Sequence, residues 1–336
     1  MRVKGKKAMK RLGNLYEKIL TPENIEAAYQ AYNQNRPTCL RREYKEEEAR
    51  QILEEMKEDF AKVIGKARRK DFCDKGKWRI LEIPESFKSS IAQIAVWNIC
   101  GIYVERRIHD NSFSSRKGKG GHMCAKKVER FVHTKADRDA KYCFYFDIAK
   151  YYAHIDKRIV MDRIEKIFKD KKVIELFRII VYSTPKGLPI GYPFSHALAN
   201  LYITPLYYLA HSFKGVTGMY VYMDNHLVFA RSKAVLKRVR RSFVKWLSGV
   251  GCEIKKDWQI FPTSEHGVRV CGLMVFANKK SRLYKKLWHR TMRNFDRLNK
   301  KFLLSDYLSM MSRLGWLDLC KQRYCEAFKK EGGYIW

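Results

Sequence analysis

Acidic residues are scarce in this 336-residue chain: 35 Asp and Glu stand against 69 Lys and Arg, a net charge of +34. An excess of that size on one compact body is self-repelling and calls for a polyanionic partner, nucleic acid ahead of an anionic membrane surface. Long uninterrupted apolar runs are also missing. The longest, near 188–210, is broken by Pro189, Pro193, His196, Asn200 and Pro205, which excludes a membrane span. The nine cysteines form no Cys-x-x-Cys pair and are odd in number, so neither a disulfide framework nor a zinc site is indicated. Buried thiols in a reducing cytoplasm are the expectation. The basic N-terminus MRVKGKKAMKRLGN lacks the apolar stretch of a signal peptide. Internal repeats and low-complexity linkers are absent as well.

What is present is a chain 46% hydrophobic and 13% aromatic, enough to build a large core. Helical spacing runs through 14–64, with Thr21-Pro22-Glu23-Asn24 as a helix start. Residues 71–83 alternate around a turn-rich middle and predict a hairpin, followed by a helix over 86–108. A basic, glycine-rich loop, SFSSRKGKGGHMC (112–124), opens the next helix. The aromatic strand KYCFYFDIA spans 141–149, one or two amphipathic helices span 157–181, and another covers 195–213. The stretch YVYMDNHLVFA (220–230) reads as a hairpin whose turn carries Asp224 and Asn225. A basic helix (232–248), strands at 251–262 and 268–277, and basic helices from 283 onward complete the pattern. Strands cluster centrally without regular βαβ alternation, which predicts an α+β fold.

Asp147 ends one strand and Asp224 sits in the hairpin turn. Two such carboxylates in a basic protein can hold magnesium, which takes a few carboxylates plus phosphate oxygens, or each can be an ordinary turn or cap residue. Five or six ordered segments decide between these. FYFDIAKYY, GLPIGYPFSHALANLY, YVYMDN, WQIFP and VCGLMVF follow the order and spacing of a reverse transcriptase palm, with KGKWRI and SSRKGKGGH where that family has its fingers motifs. The chain resembles reverse transcriptases over about 15–295. It is most similar to those of diversity-generating retroelements: it is short, it carries no RNase H or endonuclease extension, and its fourth motif reads Ile190-Gly191…Ser195 where group II intron enzymes have Gln-Gly. His196 departs from the glutamine usual after that serine.

The resemblance implies a right-hand polymerase: an N-terminal helical extension (1–65), fingers and palm (66–280) with a central antiparallel sheet, and a helical thumb (281–336). It implies Asp147 and Asp224 as catalytic ligands of two Mg2+ ions, with Mn2+ as a substitute, and the Ile148 carbonyl as a third ligand. Tyr152 matches the ring that excludes a 2′-hydroxyl, and Lys77, Arg79 and Arg116 would grip the triphosphate. Ile190, Gly191, Ser195 and His196 would line the nucleotide pocket. Lys255 or Lys256 would protonate the leaving pyrophosphate or simply be solvated, and Cys271-Gly272-Leu273 would form the primer grip. Implied partners are a structured template or non-coding RNA, an RNA–DNA duplex, dNTPs and a small basic oligomeric accessory protein, with no membrane; the implied setting is cytoplasmic, for a bacterial or phage-encoded protein. The alternatives are an anti-phage defence enzyme on a dedicated RNA, or a catalytically silent RNA-binding scaffold.

Asn225 stands where the family usually has a second aspartate. An amide oxygen can meet a hard cation but adds no charge. It is compatible with an active variant, with an inactive relative, or with an engineered substitution.

Overall fold

The computed structural model describes residues 11–34, 41–74, 77–277 and 281–283, with the side chains of 73, 74, 77–79, 282 and 283 left aside. The expected thumb helices beyond 283 lie outside the described residues. In chain order the elements are α1 (Tyr16–Ile19), α2 (Pro22–Gln34), α3 (Glu46–Glu58), α4 (Phe60–Ile64), β1 (Arg68–Asp74), β2 (Lys77–Ile83), α5 (Phe87–Glu105), α6 (Gly121–Lys135), β3 (Tyr142–Asp147), α7 (Tyr151–His154), α8 (Lys157–Glu165), α9 (Lys171–Tyr182), α10 (Ser195–His211), β4 (Val216–Tyr222), β5 (Asn225–Ala230), α11 (Lys233–Gly249), β6 (Gln259–Pro262), β7 (Val268–Val270), β8 (Leu273–Val275) and β9 (Arg282–Leu283).

Two compact units emerge, each discontinuous in sequence. The first joins residues 1–109, 149–205 and 246–253. Helices α1 to α4 belong to this unit. Ile25, Ala28 and Tyr29 of α2 are fully buried, and Asn24 donates from Nδ2 to the carbonyls of Ile19 (2.9 Å) and Ala95 (3.0 Å), tying α2 to α5. The expected 71–83 hairpin is β1–β2, paired from Arg68↔Ile83 to Asp74↔Lys77.

The second unit joins 110–148, 206–245 and the chain from 254 onward. Its centre is an antiparallel sheet of order β4-β5-β3-β6. Strand alternation divides β3 between two faces. Phe144 and Phe146 point to one, where Phe243 of α11 packs on both rings. Cys143 and Tyr145 point to the other, where α6 supplies Cys124, Ala125, Val128 and Val132 and the small sheet β7-β8-β9 supplies Val268, Val270, Leu273 and Val275.

Three sequence expectations change in detail. Residues 251–262 form a strand only at β6, with an isolated bridge from Ile148 to Ile254, because Gly251 at φ +73 and the charged run that follows break the extension. Residues 268–277 are a hairpin, since Cys271 (φ +45) and Gly272 (φ +90) both take positive φ, the requirement of a type I′ turn. In the 220–230 hairpin the two turn residues are Met223 and Asp224, and Asn225 is the first residue of β5, paired with both Tyr222 and Asp147. Met223 carries φ +57 while Asp224 does not share the positive sign, the pattern of a type II′ turn that ordinarily wants glycine first.

Candidate active site

The alternation that sends Phe144 and Phe146 into one core sends Tyr145 and Asp147 to the other face, and the Asp147↔Asn225 register sets the amide beside them. Asp224 projects from the turn. Its carbonyl accepts from the Ile148 N–H (3.1 Å), which fixes the turn against the end of β3. Lys255 arrives just beyond the Ile148–Ile254 bridge, its N–H donating to the Asp147 carbonyl at 2.8 Å. From there the ammonium reaches both carboxylates, 3.2 Å from Asp147 Oδ2 and 3.6 Å from Asp224 Oδ2. Two acidic groups, one ending β3 and one from the β4–β5 turn, thus converge on a single cation position.

Their environments differ. The Asp147 side chain is only 14% exposed against 35% for Asp224. Burial raises the Asp147 pKa above the usual carboxylate value; Asp224 and Asp257 push the same way and Lys255 opposes them. Burial pulls the Lys255 ammonium down, but the carboxylates of Asp147, Asp224 and Asp257 outweigh it and hold its pKa above the ordinary lysine value. At neutral pH Lys255 is therefore charged, and the pair has a counter-cation built in.

Asn225 uses both ends of its amide. Its Oδ1 accepts from the Tyr145 hydroxyl at 2.9 Å and its Nδ2 donates to Asp224 Oδ1 at 3.1 Å. A carboxylate could accept from Tyr145 but could not donate to Asp224. The same hydroxyl lies 3.4 Å from Asp147 Oδ1. On the opposite sheet face His226 is fully buried, its ring stacked on Phe146 at 4.7 Å. Its Nδ1 lies 2.8 Å from the Asp224 carbonyl, an atom that can only accept, so the proton sits on Nδ1. Burial lowers the His226 pKa to about 4, so the ring is neutral. Tyr145 and His226 escaped the sequence reading, although each stands two positions from a singled-out aspartate and strand alternation fixes its face.

The remaining candidates fall as follows. Ile148 is buried. Of the two lysines, Lys255 turns inward and Lys256 is exposed. The Cys271-Gly272 turn borders a cavity of about 210 Å³ that Tyr145, Tyr222, Asn225 and Arg269 also line, while Leu273 is buried in the core beneath it. Arg116, in the loop before α6, donates from Nη1 to the Ser112 carbonyl at 3.0 Å. Lys77 and Arg79 lie on β2 with side chains outside the described residues.

In the first unit, the Tyr152 hydroxyl bonds His196 Nδ1 and the rings meet edge-on at 5.5 Å. Burial lowers the His196 pKa. The Leu188 N–H donates to the Tyr152 carbonyl (2.9 Å), and Gly187 (φ +58) runs so close that an added Cβ would lie 2.1 Å from that oxygen. Gly191 is equally confined, 2.6 Å from the Glu82 carbonyl by the same measure. Ile190 is exposed at 36%. Ser195 is buried at 1%, and its hydroxyl has no hydrogen-bond partner among the described residues.

The donor set suits a hard divalent ion: carboxylate oxygens already gathered around one positive charge. Among the described residues no group of three or more His, Cys, Asp or Glu side chains gathers in a metal-binding arrangement, so two carboxylates leave coordination positions for carbonyl, water and phosphate oxygens. No helix among the described residues is long and apolar enough to cross a membrane.

A comparison with curated proteins finds no match. Among solved structures, the chain is similar to apo telomerase from Candida tropicalis (TM-score 0.52, 11% identity, covering 70% of this chain and 52% of that one). It is also similar to telomerase from Candida albicans in complex with a TWJ fragment of telomeric RNA (0.52, 11%, 87% and 58%). A Candida tropicalis telomerase truncated from the C-terminal domain gives 0.53, 12%, 72% and 61%. The chain thus spans just over half the length of these telomerases, and the likeness shows a shared fold, the α+β right-hand polymerase fold. The family described as reverse transcriptase (RNA-dependent DNA polymerase) matches residues 64–274, well over half of the chain. This chain belongs to the reverse transcriptase family.

Proposed function

We propose that the chain is an RNA-directed DNA polymerase that copies a structured RNA into cDNA, in a retroelement that diversifies sequence by error-prone synthesis. One observation carries the reading: Asp147 at the end of β3 and Asp224 in the β4–β5 turn meet at one cation position, each with an oxygen toward the Lys255 ammonium. Asp147, Asp224 and the Ile148 carbonyl would hold two Mg2+ ions, or Mn2+ in their place, which when bound stabilise the attacking and leaving oxygens of phosphoryl transfer.

The chain's own groups would do the rest. Lys255 holds the carboxylates together and keeps a proton on Nζ that it can give to the leaving pyrophosphate. Asn225 aims Asp224 through its Nδ2 and is itself fixed by Tyr145. Lys77, Arg79 and Arg116 would bind the triphosphate. Tyr152, its hydroxyl held by His196, would exclude the 2′-hydroxyl of a ribonucleotide. Ile190 offers no hydrogen bond where relatives place a glutamine, and the missing polar partner supports misincorporation, particularly opposite adenine. The Cys271-Gly272 turn would steady the primer end beside Asn225.

The net charge of +34 supports an RNA partner and a bound RNA–DNA duplex, and the small basic accessory protein would meet the enzyme on that RNA. The test is sequencing of the cDNA made on co-purified RNA with dNTPs and Mg2+. Substitutions concentrated at template adenines are expected. Faithful copying would overturn the diversifying role, and a protein that binds RNA without making cDNA would overturn the polymerase.

A further inference from the structure

Helix α11 packs on the Phe144/Phe146 face of the central sheet, the face opposite Tyr145 and Asp147. Its apolar side chains Val235, Leu236, Val239 and Phe243 are buried. What the helix presents outward is one-signed: Lys233, Lys237, Arg238, Arg240, Arg241 and Lys245, with no acid in its 17 residues. None of the six forms an ion pair among the described residues. Bringing six like charges onto one helix without counter-charges is costly unless an anion completes the surface.

The surface is also shaped. Lys233, Lys237, Arg240 and Arg241 border a groove of about 520 Å³ whose floor is Trp258 and Ile260. Trp258 meets Phe144 edge-on at 6.2 Å, and the Arg240 guanidinium lies 4.3 Å over its ring. This stacking holds a flat cation with N–H groups at its edge, suited to a phosphate and to a base laid against it.

We infer that this groove is a second nucleic-acid site, which binds single-stranded RNA on the sheet face away from the catalytic carboxylates. A phosphodiester strand fits better than a membrane, because the apolar stripe an interfacial helix would need is already spent on the sheet. Interleaved cations and an aromatic floor favour an unpaired strand over a duplex. Since Asp147 and Asp224 work from the other face, RNA held here is not the segment being copied. The site would tether a flanking part of the template molecule, and it requires no catalysis by the chain.

The experiment uses the full chain and an oligouridylate probe, with a saturating short primer–template duplex present, and reads anisotropy across a salt series. The variants are Lys237→Glu/Arg241→Glu and, as an equal charge change elsewhere, Lys62→Glu/Lys166→Glu. The groove variant should bind oligouridylate at least about tenfold more weakly, with a log–log salt slope shallower by about 0.7 for each phosphate it no longer neutralises. The control pair should move far less, and extension of the short duplex should be the same in all three proteins. Equal losses in both variants would overturn the site, as would unchanged binding by the groove variant. Extension that falls in step with binding would place the groove in the copying path and overturn the claim. Anionic vesicles that displace the oligouridylate from the parent, but not from the groove variant, would assign the surface to membrane and overturn it also. A parent that binds oligouridylate in this pattern but extends nothing would leave the groove standing and remove only the polymerase reading.

Discussion

Asn225→Asp places a second acid beside Asp224, yet without metal it should make this protein less stable. The amide donates to Asp224 Oδ1 at 3.1 Å, so a carboxylate there would set two like charges within about 4 Å. At an effective dielectric near 20 that separation corresponds to about 4 kcal/mol of repulsion. Asp224 is about one-third exposed, so solvent and the nearby Lys255 ammonium reduce the figure to about 2 kcal/mol. Losing a hydrogen bond to a charged acceptor adds about 1.5 kcal/mol. The expected cost is therefore about 3.5 kcal/mol in EDTA, read from denaturant midpoints by tryptophan fluorescence. Millimolar Mg2+ should recover more stability in the variant than in the parent, because the new carboxylate is a hard ligand. Equal midpoints for the two proteins in EDTA would show that the amide does not orient Asp224, and the account of Asn225 would fall.

Three further outcomes follow from the same geometry. Met223→Gly relieves a left-handed backbone at a position that favours glycine and should raise stability by about 1 kcal/mol; a lower melting temperature would refute the strain. Gly187→Ala sets a methyl 2.1 Å from the Tyr152 carbonyl at φ +58, and should cost at least about 2 kcal/mol and weaken discrimination against ribonucleotides; an unchanged melt would refute it. His226 has a folded pKa of about 4, below the ordinary 6.5, so the unfolded chain binds a proton first. Stability is then full above about pH 6.5 and falls by about 1.4 kcal/mol per unit as pH drops toward 4. His226→Phe keeps a stacked ring and should flatten that dependence, whereas an unaltered acid slope would contradict it.

The frame of the candidate site was legible because period-two alternation is a local property. FYFD fixes which residues share a face, and the two apolar runs of YVYMDNHLVFA can pair only as a hairpin. What the sequence concealed depends on registers between distant segments. That Asn225 heads a strand while Met223 and Asp224 turn is set by the β4–β5 register, which a one-residue slip would invert. The choice of Lys255 over Lys256 rests on one bridge between Ile148 and Ile254, with 105 residues of chain separating its partners and no local signal. The strand pattern at 268–277 gave no local sign of a break at Cys271, since cysteine rarely takes positive φ; the glycine after it and the resemblance pointed to the turn. The groove behind α11 shows as a basic helix in the sequence, but Trp258 joins it through tertiary packing against Phe144 and Arg240.

Primer extension on an RNA template with Mg2+ and labelled dNTPs, run side by side with the parent chain and Asp224→Asn, tests the carboxylate pair most directly. The account predicts template-dependent DNA synthesis by the parent, with Asn225 in place, and a loss of at least about a hundredfold in the variant. Equal synthesis by the two proteins, or none by the parent on any RNA in Mg2+ or Mn2+, would contradict it.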